Sequence, residues 1–278
     1  MASDPTPTLA HTIVAPDGGS PRHTLLLLHG IYGKGRNWAA IARGLIAARP
    51  DWAAALVDLR LHGTSPAFTP PHTVAACAAD VAALIDTAEG WPGPAAAVVG
   101  HSFGGKVALS LLADSTAPQL GQVWVMDSTP APGEPDGTAW RMLELVRGLP
   151  QHVATRAEAI DGLVAGGIGA DVAAWMASNL RREGDGLAWA LDWDAMEALL
   201  RDFFVRDLWP IVEAPPPGSD LHFVKATRSS RLSDEACARI EAIGRATGRV
   251  HLHRVEGGHW IHADNPQAIT ALLAGALP

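Results

Sequence analysis

Short runs of apolar residues alternate along the chain with segments in which apolar positions recur at helical spacing. Strands are predicted at residues 8–15, 24–28, 53–57, 95–99, 122–126, 221–224 and 249–255. Helices are predicted at residues 37–48, 73–89, 103–112, 233–246 and 266–276. Most of the strand segments are apolar without a break, which is typical of strands that a parallel sheet buries on both faces. This order predicts an α/β fold with a mostly parallel, doubly wound sheet.

The alternation of strands and helices stops after residue 130 and resumes near residue 211. Between them no clear buried strand occurs, but helical periodicity recurs at 138–147, 171–180 and 194–204. We therefore predict a core of residues 1–130 and 211–278, interrupted by a helical cap at 131–210. The cap holds the large apolar residues Trp140, Met142, Trp175, Met176, Trp189, Trp193, Met196, Phe203, Phe204 and Trp209. Most of these should fill the cap's own small core, while Trp140 and Trp175 are candidates for the apolar wall of a substrate pocket.

Composition narrows the classes of partner. The net charge is -8 over 278 residues, and lysine occurs only at positions 34, 106 and 225. Nucleic acid and anionic membranes are therefore disfavoured, because binding to phosphate requires concentrated Lys and Arg. Cys77 and Cys237 are too far apart in sequence to indicate a disulfide framework or a metal pair, and both are predicted to be buried. No window resembles a signal peptide or a membrane span, so we expect a soluble, cytoplasmic monomer or dimer.

The segment Gly100-His-Ser-Phe-Gly104 lies between a predicted strand and a predicted helix. It matches the pattern G-x-S-x-G, in which small residues permit the sharp turn that exposes a nucleophilic serine. The chain contains 28 glycines, so a chance match is an alternative, but the strand and helix around the motif favour a functional site. We predict Ser102 as the nucleophile and the Phe103 amide, at the start of the helix, as one donor of an oxyanion hole.

A second glycine-containing loop, His29-Gly-Ile-Tyr-Gly33, follows the strand predicted at 24–28. Gly30 permits close approach of the backbone, so the Ile31 amide is the candidate for the second oxyanion donor. We expect His29 to brace this loop rather than to react, and Tyr32 to contact the substrate. The loop after the next strand is predicted to hold an internal polar network, formed by Asp58, Arg60 and His62.

An aspartate and a histidine complete a triad with the predicted nucleophile. Asp127 directly follows the strand at 122–126, and His259 follows the last strand after two glycines. Both should lie at the sheet edge that holds Ser102. The chain order of serine, aspartate and histidine is the order found in α/β-hydrolases. Trp260, next to the predicted base, is a further candidate for substrate contact.

Alternatives remain open for the acid and for the histidines. Asp127 could be a turn residue that binds the amides of Ser128 or Thr129. Asp234 is a rival acid, although it should lie in the first turn of a helix, where a carboxylate favours the helix dipole. A zinc site is the alternative for the histidines His251, His253, His259 and His262. No cysteine or carboxylate at ligand spacing accompanies them, which disfavours zinc.

Five segments together resemble the α/β-hydrolase superfamily, and within it the YbfF-type bacterial esterases and the ABHD11-like hydrolases. The segments are residues 29–33, 58–65, 100–106, 127–130 and 258–266. The resemblance spans nearly the full length and implies a serine hydrolase with the triad predicted above. It also implies that Ser229 is a fourth member of the triad's network. The chain departs from the family at Leu61, where asparagine is usual, and at 226–229, where the family has Gly-Gly-Asn-Ser.

The expected function is that of a serine carboxylesterase that hydrolyses small to medium apolar esters through an acyl-serine intermediate. This chemistry requires no metal and no organic cofactor. Thioesterase, lactonase and perhydrolase activities are alternatives because they pass through the same acyl-serine. A different class of function is a ligand-binding receptor that uses the capped pocket only to hold a small molecule. The complete triad favours the enzyme, because a receptor needs none of its three residues.

Overall fold

The computed structural model describes residues 7–88, 90–113 and 119–278. Strands and helices alternate along its first half, as the apolar pattern predicts. In chain order these are β1 (His11–Val14), β2 (His23–Leu28), α1 (Ala39–Ala48), β3 (Trp52–Val57), α2 (Val74–Asp86), β4 (Ala95–His101), α3 (Phe103–Ser110) and β5 (Gln122–Met126). Short 3₁₀ segments at Gly35–Trp38 and Leu111–Ala113 precede α1 and follow α3.

The chain forms two compact units, a core of residues 1–132 and 206–278 and an inserted unit of residues 133–205. The inserted unit contains α4 (Gly137–Gly148), β6 (His152–Val153), α5 (Arg156–Ala165), α6 (Ala170–Met176), β7 (Leu180–Glu183), β8 (Gly186–Trp189) and α7 (Trp193–Val205). The core then continues with α8 (Trp209–Glu213), β9 (Asp220–Ala226), α9 (Asp234–Thr247), β10 (Val250–Val255), α10 (Ile261–Asp264) and α11 (Pro266–Ala276).

A seven-stranded sheet in the order β1-β3-β2-β4-β5-β9-β10 forms the centre of the core. Every neighbouring pair is parallel except β1 with β3. This confirms the predicted α/β class with a mostly parallel sheet. The apolar run Leu25–Leu28 of β2 has no solvent exposure, because β2 has neighbours on both sides and both of its faces are covered.

The carboxyl ends of β4 and β5 lie side by side, with His101 paired to Met126. The residues that follow these two ends are Ser102 and Asp127. The parallel sheet therefore brings the predicted nucleophile and the predicted acid to one edge.

The inserted unit is not helical throughout. Its strands form a separate antiparallel sheet in the order β6-β8-β7, which the sequence analysis did not predict. Trp189 and Trp193 are buried in this unit, with ring centroids 5.7 Å apart in an edge-to-face contact. Arg147 of α4 pairs with Glu197 of α7. The contact between Trp189 and Trp193 agrees with the expectation that most of the large apolar residues pack within the insertion itself.

Cys77 and Cys237 are both buried, as predicted, and neither forms a disulfide with a described residue. Within the described residues, no helix combines the length and the apolar character needed to cross a bilayer.

Candidate active site

Ser102 stands between the end of β4 and the start of α3, in a backbone conformation that residues with a side chain rarely adopt. Its φ is 52° and its ψ is -115°. The Ser102 N–H donates to the Met126 carbonyl at 3.0 Å, and the Gly105 N–H donates to the Ser102 carbonyl at 2.9 Å. Such conformations persist only where the surrounding structure enforces them, and they cluster at functional sites. The turn therefore holds Ser102 at the carboxyl edge of the sheet.

Close backbone contacts explain why both Gly100 and Gly104 of the motif are glycine. A Cβ atom on Gly100 would lie 2.0 Å from the carbonyl oxygen of Gly104, and one on Gly104 would lie 2.6 Å from the carbonyl oxygen of His29. Both obstructing atoms belong to the backbone, so a side chain at either position would force the turn open. Gly104 also allows α3 to pack closely against the loop after β2.

Asp127 and His259 form a hydrogen-bonded pair at the same edge of the sheet. His259 Nδ1 lies 2.8 Å from Asp127 Oδ2. The Asp127 side chain has no exposed surface, and that of His259 is 22% exposed. An ionised carboxylate can only accept hydrogen bonds, so Nδ1 carries the hydrogen and Nε2 of the neutral ring keeps its lone pair. This arrangement leaves His259 a nitrogen that can act as a base.

Two further groups hold the Asp127 carboxylate. The Ala226 N–H donates to Oδ1 at 3.1 Å, and the Ser229 hydroxyl donates to Oδ2 at 2.5 Å. Both donors come from the end of β9 and the loop after it, whereas the sequence also allowed the amides of Ser128 and Thr129. The Asp127 backbone is left-handed, with φ 47°. Three separate donors thus converge on this carboxylate.

The loop that carries Ser229 is itself held by a buried lysine. Lys225 Nζ donates to the carbonyl oxygens of Ser229 and Leu232. Lys225 was not among the predicted site residues, although a lysine near the end of an apolar strand is unusual and could have indicated a role there. The rival carboxylate Asp234 opens α9, whose N-cap Ser233 accepts from the Ala236 N–H. Asp234 therefore lies in the first turn of a helix, as the sequence predicts.

The loop after β2 lies against the nucleophile turn. A Cβ atom on Gly30 would lie 3.1 Å from His101 Nδ1 and 3.4 Å from Ser102 Cβ, so a side chain there would press on the ring of His101. Within the described part of the chain, the Ile31 N–H donates to no protein acceptor. Phe103 is the first residue of α3, directly after Ser102, and the dipole of a helix places partial positive charge at its first amides. The two residues predicted for the oxyanion hole thus lie on the two segments beside Ser102.

Two buried histidines brace the loop after β2. His29 Nε2 accepts from the Leu59 N–H, and His62 Nε2 accepts from the Tyr32 N–H, both at 3.0 Å. His29 Nδ1 donates to the Gly30 carbonyl oxygen and His62 Nδ1 to the Arg60 carbonyl oxygen, both at 2.8 Å. Burial lowers the pKa of His29 to about 4 and that of His62 to about 3. Both rings are therefore neutral at neutral pH, with one donor and one acceptor each, which fits the bracing role expected of His29.

Asp58 and Arg60 hold different neighbours instead of sharing one network. Asp58 Oδ1 accepts from the Gly35 N–H at 2.7 Å. Arg60 forms a buried ion pair with Asp80 of α2, with Nε and Oδ2 2.5 Å apart. The predicted network of Asp58, Arg60 and His62 is therefore corrected: the three side chains are structural, but each binds a different partner outside the loop, Gly35, Asp80 and Tyr32 respectively.

Comparison with protein families identifies the scaffold. A family model described as the alpha/beta hydrolase family matches residues 25–272. The chain belongs to this family. The five segments that resemble the α/β-hydrolases all lie within the matched region, and so do Ser102, Asp127 and His259.

Individual relatives cover most of this hydrolase. The sn-1-specific diacylglycerol lipase ABHD11 of Xenopus tropicalis is 28% identical over 255 residues, which cover 89% of this chain and 76% of the relative. A probable alcohol acetyltransferase of Saccharomyces cerevisiae is 27% identical over 268 residues, covering 90% of this chain and 75% of the relative. The solved structure of a marine microorganism esterase superposes with a TM-score of 0.81 at 22% identity, covering 98% of this chain and 100% of that chain. This likeness confirms the α/β-hydrolase fold.

The aromatic residues predicted to contact substrate lie in different environments of the hydrolase. Trp260 packs edge-on against His259, with ring centroids 5.4 Å apart. Tyr32 is 1% exposed. Trp140 and Trp175 belong to the inserted unit, where Trp140 Nε1 donates to Glu144 at 2.9 Å and Trp175 lies on α6, partly exposed. Substrate contact by these four side chains stays a prediction.

The histidines of the zinc alternative have other neighbours. His251 and His253 lie on β10, where their rings stack with that of His222. His262 packs against the ring of His101. Among the residues that the structure describes, no group of three or more His, Cys, Asp or Glu side chains is arranged to hold a metal ion.

Proposed function

We propose that this hydrolase is a serine carboxylesterase in which Ser102 is the nucleophile, His259 the base and Asp127 the acid. The observation that carries the proposal is the 2.8 Å contact between His259 Nδ1 and the buried Asp127 carboxylate. This contact selects the tautomer whose Nε2 can accept a proton, and it stabilises the imidazolium that then forms. The names of the relatives, a diacylglycerol lipase and a probable alcohol acetyltransferase, support acyl chemistry on this scaffold.

In the proposed cycle, His259 Nε2 takes the hydroxyl proton of Ser102 while the serine oxygen attacks the ester carbonyl carbon. The N–H groups of Ile31 and Phe103 donate to the oxyanion of the tetrahedral intermediate. The intermediate collapses, the carbon–oxygen bond to the alcohol breaks, and the departing oxygen takes the proton from Nε2. Water then attacks the acyl-serine by the same steps, which releases the acid and restores Ser102.

Small to medium apolar esters are the proposed substrates. In the inserted unit Trp189 and Trp193 are buried, whereas Trp140 and Trp175 are partly exposed. Partly exposed indole rings are available to an apolar acyl or alcohol group. A series of p-nitrophenyl esters of increasing acyl length tests the proposal, and kcat/KM should be highest for short and medium chains. Preferred cleavage of long-chain triglycerides, with activation at an oil interface, would contradict it.

Other acyl donors and acceptors can be tested in the same series. Thioesters, lactones and hydrogen peroxide enter the same acyl-serine route. The acetyltransferase relative adds a further acceptor, an alcohol in place of water. Adding an alcohol to the ester assay and measuring the new ester by chromatography shows how the acyl-serine is partitioned between water and the alcohol.

The nucleophile is tested with a serine-reactive phosphonate and with Ser102→Ala. The phosphonate should label Ser102 in the wild type, as located by peptide mass spectrometry, and Ser102→Ala should lower kcat by about four to six powers of ten. Ser110→Ala is the matched control, because Ser110 is the last residue of α3, the helix that follows Ser102, and is buried. Full labelling of the Ser102→Ala protein would refute the assignment. A wild type that binds esters without cleaving them would instead support the receptor alternative.

A further inference from the structure

His101 joins the two segments that carry the proposed nucleophile and base. It is the last residue of β4, directly before Ser102, and it is 3% exposed. His101 Nε2 lies 2.7 Å from the backbone carbonyl oxygen of His259, a residue 158 positions later. A carbonyl oxygen can only accept, so Nε2 carries the hydrogen and donates it.

We propose that His101 is a positioning residue of the active site, whose Nε2–H holds the backbone of His259 and so sets where the His259 imidazole stands relative to Ser102. The inference rests on the proposed function, since it gives His101 a part in that reaction. His101 itself is not the base, because its Nε2 is engaged with the carbonyl and its ring is buried.

A second anchor restricts the movement of the His259 ring. Asp127 holds the ring at Nδ1, but a single hydrogen bond leaves the ring free to swing about that contact. The bond from His101 fixes the main chain of the same residue, so His259 is held at two points, one on its ring and one on its backbone. Because a misplacement of about 1 Å between reacting groups costs about a hundredfold in rate, the loss of one anchor should be visible in kcat.

The surroundings of His101 keep it a neutral donor. Its ring centroid lies 4.8 Å from that of His259 and 4.5 Å from that of His262. Burial, together with the charge that the rings of His262, His259 and His29 can carry, lowers the pKa of His101 well below the usual value. A neutral ring beside His259 does not repel the imidazolium that forms during the reaction.

His262 provides a matched control. It belongs to the same cluster of rings, packing against His101 and, at 5.1 Å between centroids, against Trp38. Its Nδ1 has no hydrogen-bond partner among the described residues. His262→Leu therefore removes a neighbouring imidazole and leaves the bond from His101 to His259 in place.

The experiment compares three substitutions of His101 in the full-length protein by steady-state hydrolysis of a short chromogenic ester. His101→Leu removes the donor, and His101→Asn is too short to reach the carbonyl, so both should lower kcat about ten- to a hundredfold with KM within about twofold. His101→Gln can present an N–H near the original Nε2 and should stay within about threefold of the wild type. His262→Leu should also stay within about threefold.

Three outcomes would overturn the positioning role: a kcat of His101→Leu equal to that of the wild type, equal losses in the Gln and Asn variants, or a change confined to KM. If circular dichroism shows that His101→Leu does not fold, the comparison of Gln with Asn decides. Phosphonate labelling of the wild type separates this inference from the proposed function. An inactive wild type that is not labelled overturns both, whereas a labelled, active wild type with unaffected His101 variants overturns the inference alone.

Discussion

The Ser229 hydroxyl donates to Oδ2 of Asp127 at 2.5 Å, the same oxygen that accepts from the ring of His259. A hydroxyl orients the carboxylate but brings no charge, so its loss should weaken the triad without abolishing it. We expect Ser229→Ala to lower kcat about ten- to a hundredfold in ester hydrolysis. Ser230→Ala, at the exposed neighbouring position, should behave as the wild type. Equal activity of the two variants would exclude a role for Ser229.

Replacing the proposed acid should be far more damaging. Asp127→Asn removes the charge that stabilises the imidazolium and permits the wrong tautomer of His259, so kcat should fall by up to about four powers of ten. Asp234→Asn is the control, because Asp234 only opens α9 and should affect kcat little. If Asp234→Asn cripples hydrolysis while Asp127→Asn is mild, the acid has been assigned to the wrong residue.

Leu61 occupies a left-handed backbone position, with φ 64°. Asparagine adopts this conformation more readily than leucine, which gives a physical reason for the asparagine usual in similar hydrolases. Leu61→Asn should raise the free energy of unfolding by about 0.5–1 kcal/mol, measured by urea denaturation, with no change in kcat/KM. Leu61→Ala lacks the short polar side chain that can hydrogen-bond the local backbone and should not share the gain, so equal stability of the two variants would refute the explanation.

Acid should destabilise the fold through its buried neutral histidines. Burial lowers the pKa of His29 to about 4 and that of His62 to about 3, from 6.5. The unfolded chain protonates these rings below about pH 6.5, whereas the folded chain does so only near pH 4 to 3. The stability present above pH 6.5 is therefore lost as the pH falls, by about 2 kcal/mol for each ring at pH 5.

Urea denaturation at pH 7 and pH 5 measures this loss. His62→Gln removes one titrating group, so the variant should lose less stability than the wild type between the two pH values, by about 2 kcal/mol. Equal unfolding free energies of the wild type at both pH values would show that the buried rings do not control the acid response.

Lys106 of α3 contributes to stability through two backbone contacts. Its Nζ donates to the carbonyl oxygens of Ala131 and Arg206, at 2.8 and 2.9 Å, and the residue is 1% exposed. Lys106→Met keeps the length of the side chain but removes its donors, so the free energy of unfolding should fall by about 2–4 kcal/mol. Arg36→Met, at an exposed position, should change it by less than about 0.5 kcal/mol. Similar urea midpoints for both variants would contradict this role of Lys106.

The central strands could be predicted from the sequence because a buried parallel strand needs an unbroken apolar run. The bounds of β5 and α11 agree residue for residue with the pattern at 122–126 and 266–276. β4 extends beyond the predicted 95–99 to His101, because its pairing with Met126 of β5 continues past the apolar residues. Pairing with a neighbouring strand therefore decides where this strand ends, and a local pattern does not contain that information.

The small sheet of the inserted unit could not be predicted in the same way. β6 has two residues, and β7 reads Leu-Arg-Arg-Glu with three exposed side chains. Neither gives an apolar alternation long enough to recognise. The helix predicted at 171–180 ends at Met176 instead, and β7 begins at Leu180. The short Gly-Asp-Gly segment at 184–186, in which Gly184 has a φ of 57°, is a local signal of a hairpin.

The candidate site was predictable where its geometry is local. The nucleophile turn depends on residues within five positions of one another, so G-x-S-x-G is visible in the sequence. The donors to Asp127 and to the His259 carbonyl act across 102 and 158 positions. The family resemblance pointed to Ser229 but not to His101, and only the folded chain shows the contacts that both residues make.

Because the backbone at Ser102 and Asp127 is left-handed, the two residues that hydrolysis needs lower the thermal stability of the protein. Glycine would adopt both conformations without steric cost, so Ser102→Gly should melt at a higher temperature than the protein that can carry out hydrolysis. A laboratory selection that rewards only survival at high temperature would then tend to discard the nucleophile itself. Directed evolution of this scaffold for robustness therefore has to screen for turnover in every round.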